Sequence, residues 1–169
     1  MEIVRADESR LDELEPLFVA MHEHHRAGEP GAARVRAFRL AGDAWARRRE
    51  HYRSLFAGGR AHLFLALEGE RVVGYAMVSE IGSQATLQVG DRMAELESLS
   101  VLPGERGAGV GTALMAAVHA LLGELGIEEL MLYVMDGNEG ALRFYERYGM
   151  RPYLHVMLGA VDNVGHAPP

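Results

Sequence analysis

The chain has 169 residues, 49% apolar and 24% charged, with a formal net charge of -7 at pH 7. That length suits one domain around one core, and the balance is that of a globular chain, not a disordered one. The absence of cysteine excludes disulfides, thiolate metal sites and a cysteine nucleophile, and the acidic balance argues against a nucleic-acid partner.

No apolar run approaches the roughly 20 residues of a membrane span. The start, Met1 to Asp7, has neither the basic residues nor the apolar stretch of a signal peptide. A soluble cytoplasmic protein with no membrane partner is the expectation.

Residues 2–6 alternate weakly and predict a first strand. Asp7 or Ser9 is placed to cap a helix starting near Leu11, with Leu11, Leu14, Leu17, Phe18 and Met21 on one face. Pro16 predicts a kink there, or a delayed start of the regular part, and Gly28-Glu29-Pro30-Gly31 ends the helix. A second helix is expected from about Asp43 to Phe56, through Trp45, Tyr52 and Leu55. Within it, Arg47-Arg48-Arg49 reads as a solvated face. His62 to Glu68 and Val72 to Glu80 read as a hairpin joined at Gly69. The polar stretch from Gly82 to Arg92 extends that hairpin, and Ala94 to Val101 predicts another strand.

Val110 to Leu125 is the clearest helix, with Val110, Leu114, Val118, Leu121, Leu122 and Leu125 at helical spacing and Gly126 just past its end. A strand from Glu129 to Met135, a helix from Glu139 to Tyr148 closed by Gly149, and a last strand from Tyr153 to Leu158 complete the pattern. The order β-α-α-β-β-β-α-β-α-β places the chain in the α/β (α+β) class. Residues 1–159 read as one domain and residues 160–169 as a C-terminal tail.

The segment that carries chemistry runs from Glu95 to Thr112. A strand enters a proline-ended turn, Leu102-Pro103-Gly104, and then an Arg/Gly loop that opens the strongest helix. Unpaired N–H groups at the positive end of a helix dipole attract an anion, and glycine lets a phosphate come close to the backbone. Arg106 adds a fixed charge suited to a pyrophosphate. A dinucleotide fold would instead show G-x-G-x-x-G after its first strand. A P-loop or kinase loop needs a lysine, and the chain has none.

Arg106-Gly107-Ala108-Gly109-Val110-Gly111 resembles the R/Q-x-x-G-x-G/A signature of the GNAT superfamily of acyl-CoA N-acyltransferases. A second block, Asn138-Glu139-Gly140-Ala141-Leu142-Arg143-Phe144-Tyr145-Glu146-Arg147-Tyr148-Gly149-Met150, is similar to that family's N-x-x-A-x-x-F-Y-x-x-x-G-F pattern, with Met150 in place of the last aromatic. The resemblance implies a mixed, mostly antiparallel central sheet of six to seven strands flanked by about four helices. It also implies acetyl-CoA as co-substrate, held through the backbone of Arg106, Gly107, Ala108, Gly109, Val110, Gly111 and Thr112. Main-chain groups of Leu99 and Val101 would pair with the pantetheine arm, which lies where the family's fourth and fifth strands splay apart. An N–H near Leu99 could also polarise the thioester carbonyl. Asn138, Ala141, Phe144 and Tyr145 would line the other side.

Direct attack on a thioester needs a neutral amine, and an alkylamine with a pKa near 10.4 has only about one molecule in 10³ free at pH 7. A carboxylate beside the thioester can take that proton. Glu95 and Glu97 lie two apart, so an unbroken strand puts them on one face with Leu99 and Val101. Either is a candidate base, or a holder for a cationic substrate; the family places acids at both positions. Tyr145 stands where the family commonly has a tyrosine hydroxyl close to the CoA sulfur, and would act as general acid.

His22, His24 and His25 lack the spacing of a zinc site, so no metal is expected. His25, Trp45 and Tyr75 are further candidates for the acceptor pocket. The function these features predict is acetyl transfer to a primary amine of a small molecule or peptide; the alternative is a non-catalytic CoA-binding regulatory module. Many relatives are dimers, so a homodimer is compatible with the resemblance.

Overall fold

The computed structural model describes residues 1–28, 37–83 and 90–160. Its sheet has five strands in chain order: β1 (Glu2–Ala6), β2 (Ala61–Glu68), β3 (Arg71–Gly82), β4 (Arg92–Val101) and β5 (Leu130–Leu132). The first four pair antiparallel, and β5 joins β4 in parallel. Four α-helices flank it: α1 (Glu15–Ala27), α2 (Ala41–Ala57), α3 (Val110–Leu125) and α4 (Glu139–Glu146).

The period-2 alternation of β2 sends its side chains into two different cores. Leu63 and Leu65 meet Leu14, Leu17, Phe18, Tyr52 and Leu55 from the α1–α2 layer, while Phe64 and Ala66 meet Val110, Leu114, Val118 and Leu122 of α3. A strand covered on both faces reads as a nearly continuous apolar run, as His62 to Ala66 does. Each fully buried aliphatic side chain here stabilises the fold by about 1.5–3 kcal/mol.

The first helix differs from expectation. Residues Glu8–Leu14 form a 3₁₀ helix, with the Asp7 carboxylate accepting the Ser9 N–H at 2.9 Å, and regular α-helix begins only at Glu15. Pro16 sits in the first turn of α1, where its missing N–H costs nothing and its fixed φ suits a helix start. Proline therefore delays the helix here and does not kink it.

Three strand expectations are corrected. The sheet has five strands among the described residues, not six to seven. The strand predicted from Glu129 to Met135 shrinks to Leu130–Leu132, because β4 offers it only Ala94, Glu95 and Leu96 as partners. The segment 153–158 forms no strand; its apolar side chains are mostly exposed, since so short a β5 offers little edge to build on. The extension expected between Gly82 and Arg92 lies largely outside the described residues, as does most of the loop between Arg26 and Gly42.

Candidate active site

The strand β4 carries a bulge at Glu97. Ser98 pairs with Met77 and Leu96 with Val78, so Glu97 is an extra residue between two ladder positions. The bulge reverses the pattern of faces. Glu95 pairs with Ser79, Ser98 with Met77 and Ser100 with Tyr75, all on the α1–α2 side, whereas Leu96, Leu99 and Val101 pack toward α3. The expectation that Glu95 and Glu97 share a face with Leu99 and Val101 is therefore overturned. The carboxylates stand on one side of the sheet and Leu99 and Val101 on the other, with the edge of β4 between them.

That edge is open beyond Leu96, where β5 stops. Leu102 N–H donates to the Val73 carbonyl at 3.0 Å, which marks that pair as hydrogen-bonded in the antiparallel ladder. By alternation, the N–H and C=O of Val101 and Leu99 point away from β3. Arg106 Nε indeed donates to the Val101 carbonyl at 3.3 Å. Two residues on β4 thus present main-chain groups to the gap where β5 has ended.

The glycine loop adjoins the same gap. Gly107 and Gly109 have φ of +83° and +85°, a region open chiefly to glycine. The first α-helical bond of α3 runs from Ala113 N–H to the Gly109 carbonyl at 2.9 Å, leaving the N–H groups of Val110, Gly111 and Thr112 ahead of the helical ladder. Arg106, Gly107, Ala108 and Gly109 are exposed, while Val110 is anchored in the core. Gly74 on β3 makes room for that anchor, since a Cβ there would lie 2.9 Å from Val110 Cγ1.

From the far side, the Asn138 side chain caps α4 by accepting the Ala141 N–H at 3.1 Å. Phe144 is brought onto the N-terminal turn of α3: a Cβ at Gly111 would meet Phe144 Cζ at 3.4 Å and Val101 Cγ2 at 4.0 Å. Strand end, helix start and α4 thus converge within van der Waals range. Tyr145 packs against the α3 core beside Phe144, and burial pushes its phenol up to about 12. Across neutral pH it is a protonated donor.

On the α1–α2 face, Glu97 is nearly enclosed, its side chain 8% exposed. Ser79 Oγ donates to its Oε1 at 2.7 Å and His51 Nε2 to its Oε2 at 2.9 Å, with Arg48 Nη1 at 3.8 Å. Ser98 beside it accepts from the buried Tyr52 hydroxyl at 2.8 Å. Glu95 titrates above the usual carboxylate range, first because it is partly buried and then because Glu97 repels its charge. An open cleft of about 430 Å³, bounded by Phe18, His22, Arg39, Arg47, Arg48 and His51, adjoins Glu97 through His51 and Arg48.

Residues 18–150 match the Acetyltransferase (GNAT) family. The chain belongs to that family. It is 35% identical over 92 residues to an uncharacterized N-acetyltransferase of Mycobacterium bovis, 54% of each chain. It is also 35% identical over 91 residues to a mycothiol acetyltransferase of Geodermatophilus obscurus, covering 53% of this chain and 28% of that one. The chain thus spans about half the length, or less, of these curated relatives. A tetramutant of the BH1408 protein from Bacillus halodurans has the same fold, with a TM-score of 0.76 at 20% identity over 95% of this chain and 100% of that one.

Within this GNAT domain, sequence reasoning missed His51 and Ser79. Both were legible as types but not as neighbours of Glu97, because only the tertiary fold brings α2 and β3 to the bulge. Of the further pocket candidates, Trp45 and Tyr75 are buried in the α1–α2 core. His25 is held below the usual histidine range by burial first, then by His24, His22 and Arg106. Among the described residues no group of three or more His, Asp or Glu could hold a metal ion, and no helix is long and apolar enough to cross a membrane.

Proposed function

We propose that this GNAT domain transfers an acetyl group from acetyl-CoA to a primary amine by direct attack. One observation carries the reading: the outer main-chain edge of β4 at Leu99 and Val101, where Arg106 Nε reaches the Val101 carbonyl, the exposed loop that opens α3 and the aromatic pair of α4 meet at one place. The residues fit a CoA. Positive-φ glycines open the loop at Gly107 and Gly109, unpaired N–H groups at the start of α3 suit a pyrophosphate, and an open strand edge suits an amide-bearing arm. Bound there, acetyl-CoA supplies an acyl group activated as a thioester.

The chain's own residues would do the rest. The N–H of Leu99 is a donor for the acyl carbonyl oxygen. Glu97, fixed by Ser79 and His51, would take the proton that the amine gives up as the new C–N bond forms; Glu95 beside it is the other candidate. Tyr145 Oη would protonate the sulfur as the C–S bond breaks, and regain its proton from solvent. No nucleophilic side chain is required.

A thermal-shift titration with acetyl-CoA, CoA and longer acyl-CoAs tests the cofactor site, alongside Gly109→Glu. Stabilisation at micromolar acetyl-CoA that the variant loses supports it, and an amine screen by released thiol follows. No shift with any acyl-CoA sinks the reading.

A further inference from the structure

The cleft adjoining Glu97 is basic in a chain whose net charge is -7. Ala44, Arg47, Arg48 and His51 form one stripe of α2 at i, i+3, i+4 and i+7 facing it; no Asp or Glu is among its described lining residues, and Glu97 adjoins it through His51 and Arg48. The arginine run does not simply fan out into solvent. Arg49 turns away to Asp12 at 2.8 Å, and Arg48 is committed to Glu97 and to the Tyr52 ring, 5.7 Å from its centroid. Arg47 reaches the cleft with no acidic partner among the described residues. Arg39 lines it too, just ahead of α2, where His22 Nε2 donates to the Arg39 carbonyl at 2.9 Å and Phe38 packs edge-on against the His22 ring.

We propose that this cleft selects an amine that also carries an oxyanion, a carboxylate or a phosphate, held by Arg47 and Arg39 while its amino group lies at Glu97 and His51. The inference rests on the acetyltransferase reading above and names the acceptor class. Arg47 and His51 stand four residues apart on one face of α2, about one turn and 6 Å along its axis, so one small molecule can reach both side chains. A guanidinium suits either oxyanion because its planar donor fork matches two oxygens at once. The two glutamates considered alone suit a polycation. In the folded chain a second ammonium would face Arg39 and Arg47, with no carboxylate among the described lining residues to meet it.

The test uses the full chain and has two arms. First, inorganic phosphate is titrated against chloride at equal ionic strength with CoA saturating, and Tm is read for wild type and for Arg39→Gln/Arg47→Gln. Phosphate raises Tm beyond chloride in wild type only, while acetyl-CoA stabilises both proteins equally, showing that the variant folds. Second, amines matched except for charge are compared by thiol release: 4-aminobutanoate with its amide, glucosamine 6-phosphate with glucosamine, and spermidine. At least one anionic member exceeds its neutral partner by tenfold or more in kcat/KM, through KM. The double variant abolishes that preference, and the favoured pair tells carboxylate from phosphate.

Equal or better use of the neutral or polycationic amines overturns the proposal. So does a phosphate effect that is absent in wild type or persists in the variant, and this arm decides if no amine reacts. Failure of acetyl-CoA itself to stabilise wild type overturns the parent reading instead.

Discussion

Glu97 Oε1 accepts a hydrogen bond from Ser79 Oγ at 2.7 Å, although the ladder pairs Ser79 with Glu95. An unbroken strand would also put the two glutamates on one face; the bulge keeps Glu97 beside Ser79 and turns Leu99 and Val101 to the opposite face. Its consequence is a difference in order: Glu97 has partners on both oxygens, whereas the strongest influences on Glu95 are burial and the charge of Glu97. Glu97→Gln should therefore lower kcat by about 10²-fold or more, the usual worth of a positioned base, with KM for acetyl-CoA unchanged. Glu95→Gln should cost less than about tenfold on the same scale. Steady-state thiol release with a reactive amine checks both, and the reverse order would assign the base to Glu95.

That bulge also marks the limit of what the sequence discloses. From Ala94 to Val101 the apolar residues change phase, from Ala94 and Leu96 to Leu99 and Val101, across the polar pair Glu97-Ser98; the expectation of one face for Glu95, Glu97, Leu99 and Val101 passes over that change. A one-residue shift sends every later side chain to the other face; the change of phase signals such a shift, while the partner strand decides which residue is the extra one. The helix α3 was readable because its apolar spacing and its glycine caps agree with one another, and the loop before it because backbone demands select glycine. The acceptor cleft was unreadable for a different reason. His22 comes from α1, Arg39 from the segment ahead of α2, and Arg47 and His51 from α2 itself, and their convergence depends on how α1 and α2 pack together.

Tyr145 offers a prediction in alkaline solution. The folded chain holds its phenolic proton to about 12, against about 10 for a phenol in the unfolded chain. A folded pKa above the unfolded one gives stability that is whole below about pH 10 and is lost as pH rises toward 12. Burial raises Tyr52 and Tyr75 in the same direction, and with no lysine in the chain tyrosines dominate that window. Tyr145→Phe should make the decline of Tm between about pH 10 and 12 shallower without abolishing it, and should reduce kcat at neutral pH with acetyl-CoA affinity kept. An unchanged slope would mean that the Tyr145 hydroxyl is not buried in the folded chain.

The close approach of α3 to β3 predicts a cost for one methyl group. A Cβ at Gly74 would meet Val110 Cγ1 at 2.9 Å, the Ser100 carbonyl oxygen at 3.1 Å and Leu114 Cδ1 at 3.2 Å, and Ser100 belongs to a paired strand that cannot easily yield. Gly74→Ala should destabilise by about 1–3 kcal/mol, as overpacking commonly does, at about 2–4 °C of Tm per kcal/mol for a chain of this size. Because Val110 opens the helix whose N-terminus would hold the pyrophosphate, acetyl-CoA binding should weaken too. A variant with wild-type Tm and affinity would show that α3 is packed more loosely than this.

Gly109 and Gly104 separate backbone demand from simple space. Neither would bring a Cβ within 4 Å of another group, but Gly109 has φ of +85° and Gly104 does not lie in that region. An L-residue in the left-handed region costs about 1–2 kcal/mol, whereas alanine at a compatible glycine gains about 0.4–1 kcal/mol by restricting the unfolded chain. Gly109→Ala should therefore lower Tm and weaken acetyl-CoA binding, because the loop must relax before the first N–H groups of α3 point outward. Gly104→Ala should leave both intact or raise Tm slightly. Calorimetric titration of acetyl-CoA into the two variants distinguishes the cases. Equal losses in both would mean that the loop is sensitive to any added bulk, and that the left-handed turn at Gly109 is not what shapes the anion site.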